Sequence, residues 1–167
     1  VTLAPRHTVG LVFAAAVYAI DQLVKWLMIG PLMLREVGVI EVLPFFDLRW
    51  TENYGVSLGL FVAESDVGRW ILVAVTAAIA ITVLVWMLRE TARGDILALG
   101  LVLGGALGNI TDRARFGHVV DYADLHFGTF RPFLIFNIAD AAITIGVLII
   151  LARSLLSREK PSAKLET

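Results

Sequence analysis

Five carboxylates and amides, Asn109, Asp112, Asp121, Asn137 and Asp140, stand in or beside segments otherwise built of Leu, Ile, Val, Ala and Gly. Ionisable groups are costly where water is scarce, so such a cluster marks a functional site by default. Two carboxyls brought together at a membrane surface cannot both ionise easily; one pKa rises and the pair shares a proton. The ionised partner then takes a proton from water while the neutral one polarises a carbonyl, chemistry that needs neither metal nor cysteine. Asp121 and Asp140 flank a mid-length loop, read over 116–132, so closure of that loop would bring them face to face. Asn109 and Asp112 are three apart on one helical face, as are Asn137 and Asp140, so each acid has an amide neighbour to orient it. Spacing alone does not separate Asp121 from Asp124. The competing reading has these acids capping helices or pairing with Arg113 or Lys25.

The elements that must position this cluster are apolar. Of the 167 residues 58% are hydrophobic and 17% charged, against about 45–50% and about 25% in soluble domains, which points to a membrane protein. A net charge of −1 gives no reason to expect a nucleic-acid partner. The absence of cysteine removes disulfides, thiolate catalysis and Cys-type zinc sites. Four segments reach the roughly 20 residues of a spanning helix or approach it: 9–28, 70–88, 96–112 and 134–153. The third holds Gly100, Gly104, Gly105 and Gly108, whose small size lets neighbours approach, so it is expected at the centre of the bundle. The first has the length of a signal-peptide core. No small-x-small cleavage site follows it, however, and Asp21 and Lys25 lie four apart where they can neutralise each other, so a retained helix is expected.

Between the first two spans lies a polar insertion over 30–69. Its runs 37–42 and 46–51 alternate β-type residues around Pro44, which predicts a small sheet on the membrane surface. With four spans both termini share one side. Asp21 then falls late in the first span, Asp112 at the end of the third and Asp140 early in the fourth. All three reach the opposite face, with the insertion and the 116–132 loop. The 14 Lys and Arg divide seven to each side, but the Arg89/Arg93 turn and the basic tail favour a cytoplasmic location for the termini. One integral membrane domain over 1–167 is the simplest organisation.

Two other patterns have chemistry attached. Gly55 to Gly59, GVSLG, matches the serine-nucleophile motif GxSxG, with His118 or His126 as possible partners for Ser57. A five-residue match with two glycines arises often by chance, and a surface loop is the expected reading. His118, Asp121, Asp124 and His126 are ligand types suited to zinc but lack the HExxH spacing, so no metal is expected. His7 is expected to be solvated or at the interface.

At the level of ordered motifs the chain resembles lipoprotein signal peptidase (signal peptidase II), a family of bacterial inner-membrane aspartyl proteases. The resemblance rests on Asp21, Gln22 and Lys25 (DQxxK), on Asn53 and Gly55 (Asn-x-Gly), and above all on GNITDRARFGHVVDY and FNIAD. It implies a four-transmembrane-helix bundle with a small β-cradle on the outer face, and a catalytic dyad of Asp121 and Asp140. It places Asn53, Gly55, Gly105, Gly108, Asn109, Asp112, Arg113, Asn137 and Ala139 around substrate and dyad, with Asp21 and Lys25 as structural polar groups. It implies no cofactor, and a diacylglyceryl-prolipoprotein substrate cut just before its lipidated cysteine. It further implies contact with membrane lipids, binding of globomycin-type inhibitors, and an active site near the periplasmic face. The run VSLGLF after Asn-x-Gly and the extra acid Asp124 depart from the family pattern and bear on loop shape. A small membrane transporter or scaffold with a buried acid cluster, or a serine- or metal-dependent membrane hydrolase, is the rival expectation.

Overall fold

The structure, a computed structural model, describes residues 4–56, 61–62 and 66–158. Ser57 therefore lies outside the described residues. Among the described residues five helices and five strands follow in the order α1 (Pro5–Ile29), α2 (Leu34–Val37), β1 (Val39–Leu43), β2 (Phe46–Asn53), β3 (Gly55–Val56), β4 (Phe61–Val62), α3 (Asp66–Arg89), α4 (Arg93–Phe116), β5 (Val119–Leu125) and α5 (Ile138–Arg158). The helices α1, α3, α4 and α5 are long and apolar enough to cross a membrane.

The Gly-rich α4 is the axis of the bundle. It packs against α1, α3 and α5, and 56% of its apolar window is buried, against 28% or less in the other three helices. The reason is size. A Cβ on Gly104 would stand 2.5 Å from the Ala14 carbonyl oxygen, and one on Gly105 would collide with the Ala139 carbonyl. Larger residues at these two positions would push α1 and α5 off the axis. Around this seam Ala14, Ala80, Met87, Ile96, Leu99 and Leu103 form one apolar core. By contrast α3 has only Ala80 and Met87 buried and turns most of its surface outward, as a lipid-facing helix does.

The sheet has the order β1-β2-β5, antiparallel throughout. Its third strand corrects the expected 116–132 loop: α4 stops at Gly117 (φ 85°), whose N–H bonds Arg113 O at 3.1 Å, and the chain enters β5 almost at once. Thr51 pairs with Asp121 and Asp47 with Asp124, so both acids sit on a strand. Val120, Tyr122 and Ala123 join Met28 and Leu34 in a second apolar core that seats the sheet on the bundle. The first expected strand also shifts. Val37 closes the short α2, and β1 starts only at Val39, after Gly38 at φ 81°. His7 is buried rather than solvated, donating from Nε2 to the Glu90 carbonyl at 2.9 Å and so tying α1 to the α3–α4 turn.

Candidate active site

The start of α5 organises the site. The first N–H groups of a helix have no partner within it. Here three of them are supplied from different parts of the chain: Ile138 N–H by the Tyr122 hydroxyl (3.3 Å), Ala139 N–H by Asp21 Oδ1 (3.0 Å) and Asp140 N–H by Asn137 Oδ1 (2.9 Å). Asn137 is the cap and not a helical residue, which revises the expected helical spacing of Asn137 and Asp140. Asp140 in turn accepts the Asn137 N–H at Oδ2 (3.3 Å), closing a reciprocal capping box. A residue at the third helical position is thereby fixed in direction by local backbone geometry.

Asn137 also reaches the second acid. Its Nδ2 donates to Asp121 Oδ1 at 2.6 Å and to Val120 O at 3.3 Å. Asp121 Oδ2 accepts from Asn53 Nδ2 at 3.0 Å, and Asn53 Oδ1 accepts the Gly55 N–H two residues on, an Asx-type turn that holds the side chain toward the strand. Asn109 Nδ2 donates to Asp140 Oδ1 at 2.8 Å, and its Oδ1 accepts from Asn137 Nδ2 and Lys25 Nζ, both at 3.3 Å. Three asparagines from β2, α4 and the α5 cap thus grip two carboxylates. Burial first, and the charge of Asp140 second, push the Asp121 carboxyl up to about 7, against the opposing hydrogen bonds from Asn53 and Asn137. Asp121 is 2% exposed, whereas Asp140 is only partly buried. The Arg113 guanidinium faces Asp140, Asp121 and Asp112, and its buried Nε has no hydrogen-bond partner.

Beneath the acids lies a buried charge cluster. Lys25 Nζ is 2.9 Å from Asp21 Oδ2 and 2.7 Å from Asp112 Oδ2. Gln22 Nε2 donates to Asp112 Oδ1 at 3.0 Å and Asp21 Oδ2 at 3.2 Å, while Asp112 Oδ2 accepts the Val120 N–H at 3.2 Å. The cluster therefore joins α1, α4, β5 and, through Ala139, α5. Gly108 makes room for it, since a Cβ there would overlap the Asp21 carboxylate. Gln22 and Tyr122 were not among the expected site residues. Gln22 sits inside the DQxxK motif, so its place between two acids was the available signal.

The remaining candidates separate. Asp124 is held by Arg49 Nε (2.9 Å) and Arg131 Nε (3.1 Å), not by Arg113 or Lys25. Burial alone would raise its carboxyl, but these two bonds outweigh it and keep the pKa below the usual carboxylate range. His126 Nε2 lies 3.1 Å from Asp47 Oδ2, while the His118 ring packs at a tilt against Tyr54, centroids 5.3 Å apart, near the other end of the sheet. Among the described residues no three or more of His, Asp and Glu are grouped to hold a metal ion.

Comparison with known proteins identifies the family of the chain. The family model described as signal peptidase (SPase) II matches residues 13–156. The lipoprotein signal peptidase of Sphingopyxis alaskensis is 57% identical over 156 residues, covering 93% of this chain and 90% of that protein. That of Rhizorhabdus wittichii is 59% identical over 154 residues, covering 92% and 90%. A solved bacterial membrane enzyme, determined by the in meso method at 2.3 Å, superimposes with a TM-score of 0.79 at 27% identity over 95% of each chain. The chain is a multi-pass membrane protein and belongs to the signal peptidase II family.

Proposed function

We propose that this chain, as one membrane domain, hydrolyses the signal-peptide bond of diacylglyceryl-modified prolipoproteins just before the lipidated cysteine, with Asp121 and Asp140 as its catalytic pair. The observation that carries this reading is that one residue, Asn137, bonds both carboxylates. Asp121, the more buried acid, is the neutral partner. Asp140, facing two N–H donors at the positive end of a helix, is the partner that takes a proton from water. A water between them gives its proton to Asp140 and attacks the scissile carbonyl carbon, while Asp121 donates to the carbonyl oxygen. Collapse of the tetrahedral intermediate breaks the C–N bond; the proton on Asp140 passes to the leaving amine, and a hydroxyl proton of the intermediate returns to Asp121 as the carbonyl re-forms. Arg113, Asn53 and Asn109 orient the acids and the peptide.

Family membership favours a peptidase over a transporter, a scaffold or a serine- or metal-dependent hydrolase. The termini lie in the cytoplasm, the dyad lies toward the periplasmic face, the lipid portion of the substrate stays in the bilayer, and globomycin-type inhibitors occupy the same site. Incubation with a diacylglyceryl prolipoprotein beside its unlipidated form tests the reading. Cleavage of the lipidated form alone is expected; equal cleavage of both, or of neither, removes the substrate assignment.

A further inference from the structure

Asn53 grips Asp121 from the last position of β2, its Nδ2 3.0 Å from Asp121 Oδ2. Asn137 and Asn109 are set more firmly, one by its place as a helix cap and the other by burial in the central helix. The end of a strand is where local opening costs least, so a side chain there keeps one direction only if its neighbours hold the backbone. The neighbours of Asn53 do so. Successive side chains of a strand point to opposite faces, so Glu52 lies behind Asn53 and not beside it. Its carboxylate collects the residues around this corner. The Tyr54 hydroxyl donates to Oε2 and Trp50 Nε1 donates to Oε1 at 3.3 Å. Arg35 Nη2, from α2, stands 3.1 Å from Oε1, and His118 Nε2 lies 4.0 Å from the same oxygen.

The same group reaches the strand that carries the acid. The His118 ring packs against the Tyr54 ring, and the next residue, Val119, is the register partner of Asn53, two positions before Asp121. Both sides of the Asn53–Asp121 bond therefore lean on one carboxylate. Glu52 does not need so many partners for its own sake, because its side chain is 21% exposed and water reaches it. The Tyr54 hydroxyl, against the effect of partial burial and helped by Trp50, holds the Glu52 carboxyl below the usual carboxylate range. Burial keeps the His118 imidazole below its ordinary value, and the bond to Glu52 raises the Tyr54 phenol. None of the three changes charge near pH 7, where Asp121 titrates.

We propose that Glu52 is a positioning residue of the dyad: by holding Trp50 and Tyr54 on either side of Asn53, it keeps the Asn53 amide on Asp121. The role rests on Asp121 acting as the proton-donating acid. Burial and the charge of Asp140 raise the Asp121 carboxyl, and the Asn53 bond opposes them. Loosening that bond lets the carboxyl climb further, so Asp121 stays protonated to a higher pH. The charged groups that face Asp121, Lys25 of α1, Arg113 of α4 and Asp140 of α5, are untouched by a change at Glu52.

The test is a cycle of Glu52→Ala, Asn53→Ala and the double variant in the full chain, assayed on a diacylglyceryl prolipoprotein from about pH 5 to pH 9. Glu52→Ala is expected to lower kcat about tenfold with KM little changed, and to move the alkaline limb up by about half a pH unit. The double variant should be no worse than Asn53→Ala, because Glu52 acts through Asn53. Tyr54→Phe deletes one hydroxyl, keeps the ring against His118, and should move the limb the same way. Glu52→Gln retains an acceptor for Trp50 and a donor for the Tyr54 oxygen, and should restore most of kcat. A limb that stays in place in both Glu52→Ala and Tyr54→Phe, or losses that multiply in the double variant, overturn the proposal. Melting curves supply an arm without substrate. The pH at which the stability difference between Asp121→Asn and its parent changes should rise when both carry Glu52→Ala. That rise with no cleavage by the unmodified chain removes the peptidase reading and leaves Glu52 its role; no rise overturns the role even where cleavage is normal.

Discussion

Asn137 Nδ2 stands 2.6 Å from Asp121 Oδ1, although the two residues lie on different elements 16 positions apart. The same side chain caps α5 through Oδ1, so forming the helix and orienting the acids are one event. Separating the two roles is the first use of mutagenesis here.

Asn137→Ala removes the cap and the bond to Asp121 together. Loss of an N-cap costs about 1 kcal/mol, which a folded bundle tolerates. Turnover should fall by about 10²-fold or more, the scale for removing a positioned polar group from an active site. Thermal unfolding in detergent and a cleavage assay check the two arms separately. Asn137→Ser keeps a capping oxygen but not the amide donor, and should restore stability without restoring turnover.

Lys25→Met leaves Asp21 and Asp112 facing each other without their shared cation. Breaking a buried pair by removing one partner costs about 3–5 kcal/mol. The variant should therefore unfold at a markedly lower temperature than Asn137→Ala. A melting temperature within experimental error of the parent would show that the cluster does not hold the helices.

The pKa of Asp121 predicts two pH dependences of one sign. Because the folded value is raised to about 7, the group's contribution to stability is fully present below its ordinary value of 3.8 and is lost as pH rises through about 7. Asp121→Asn, which stays neutral, should gain stability relative to the parent between pH 4 and pH 8, readable as a narrowing or reversal of the melting difference. Activity that needs the protonated form should decline over the upper part of the same window.

How far the sequence carried these conclusions depended on chemistry and on period. The four apolar runs, the convergence of Asp21, Asp112 and Asp140 and the central Gly-rich helix follow from span length and from the cost of burying charge. β5 is hidden in the sequence for a physical reason. Val119 to Asp124 are all buried, so no alternation of apolar and polar residues announces a strand. The partners of Asp124 were equally hidden, because Arg49 is 75 residues away and meets it only through sheet register. The capping box of Asn137 and Asp140 was written in the FNIAD motif as an N-cap amide three residues before an acid. The same three-residue spacing fits a helical face equally well.

Ser57→Ala should leave cleavage largely intact, and a chelator should not reduce it. Assays of the serine variant and of EDTA-treated enzyme decide both. Loss of more than about tenfold in the first would bring back a serine nucleophile, and loss in the second a metal; tenfold corresponds to about 1.4 kcal/mol of transition-state stabilisation.

The central claim is that two carboxyls act as one proton-sharing pair. Its most direct test is turnover of a diacylglyceryl prolipoprotein by Asp121→Asn and Asp140→Asn, with folding and membrane insertion verified for each. Each single variant is predicted to lose about 10³-fold or more, and the double variant little beyond that, because groups acting as a unit are strongly non-additive. Near-normal turnover in either single variant, or losses that multiply in the double, would contradict the pair.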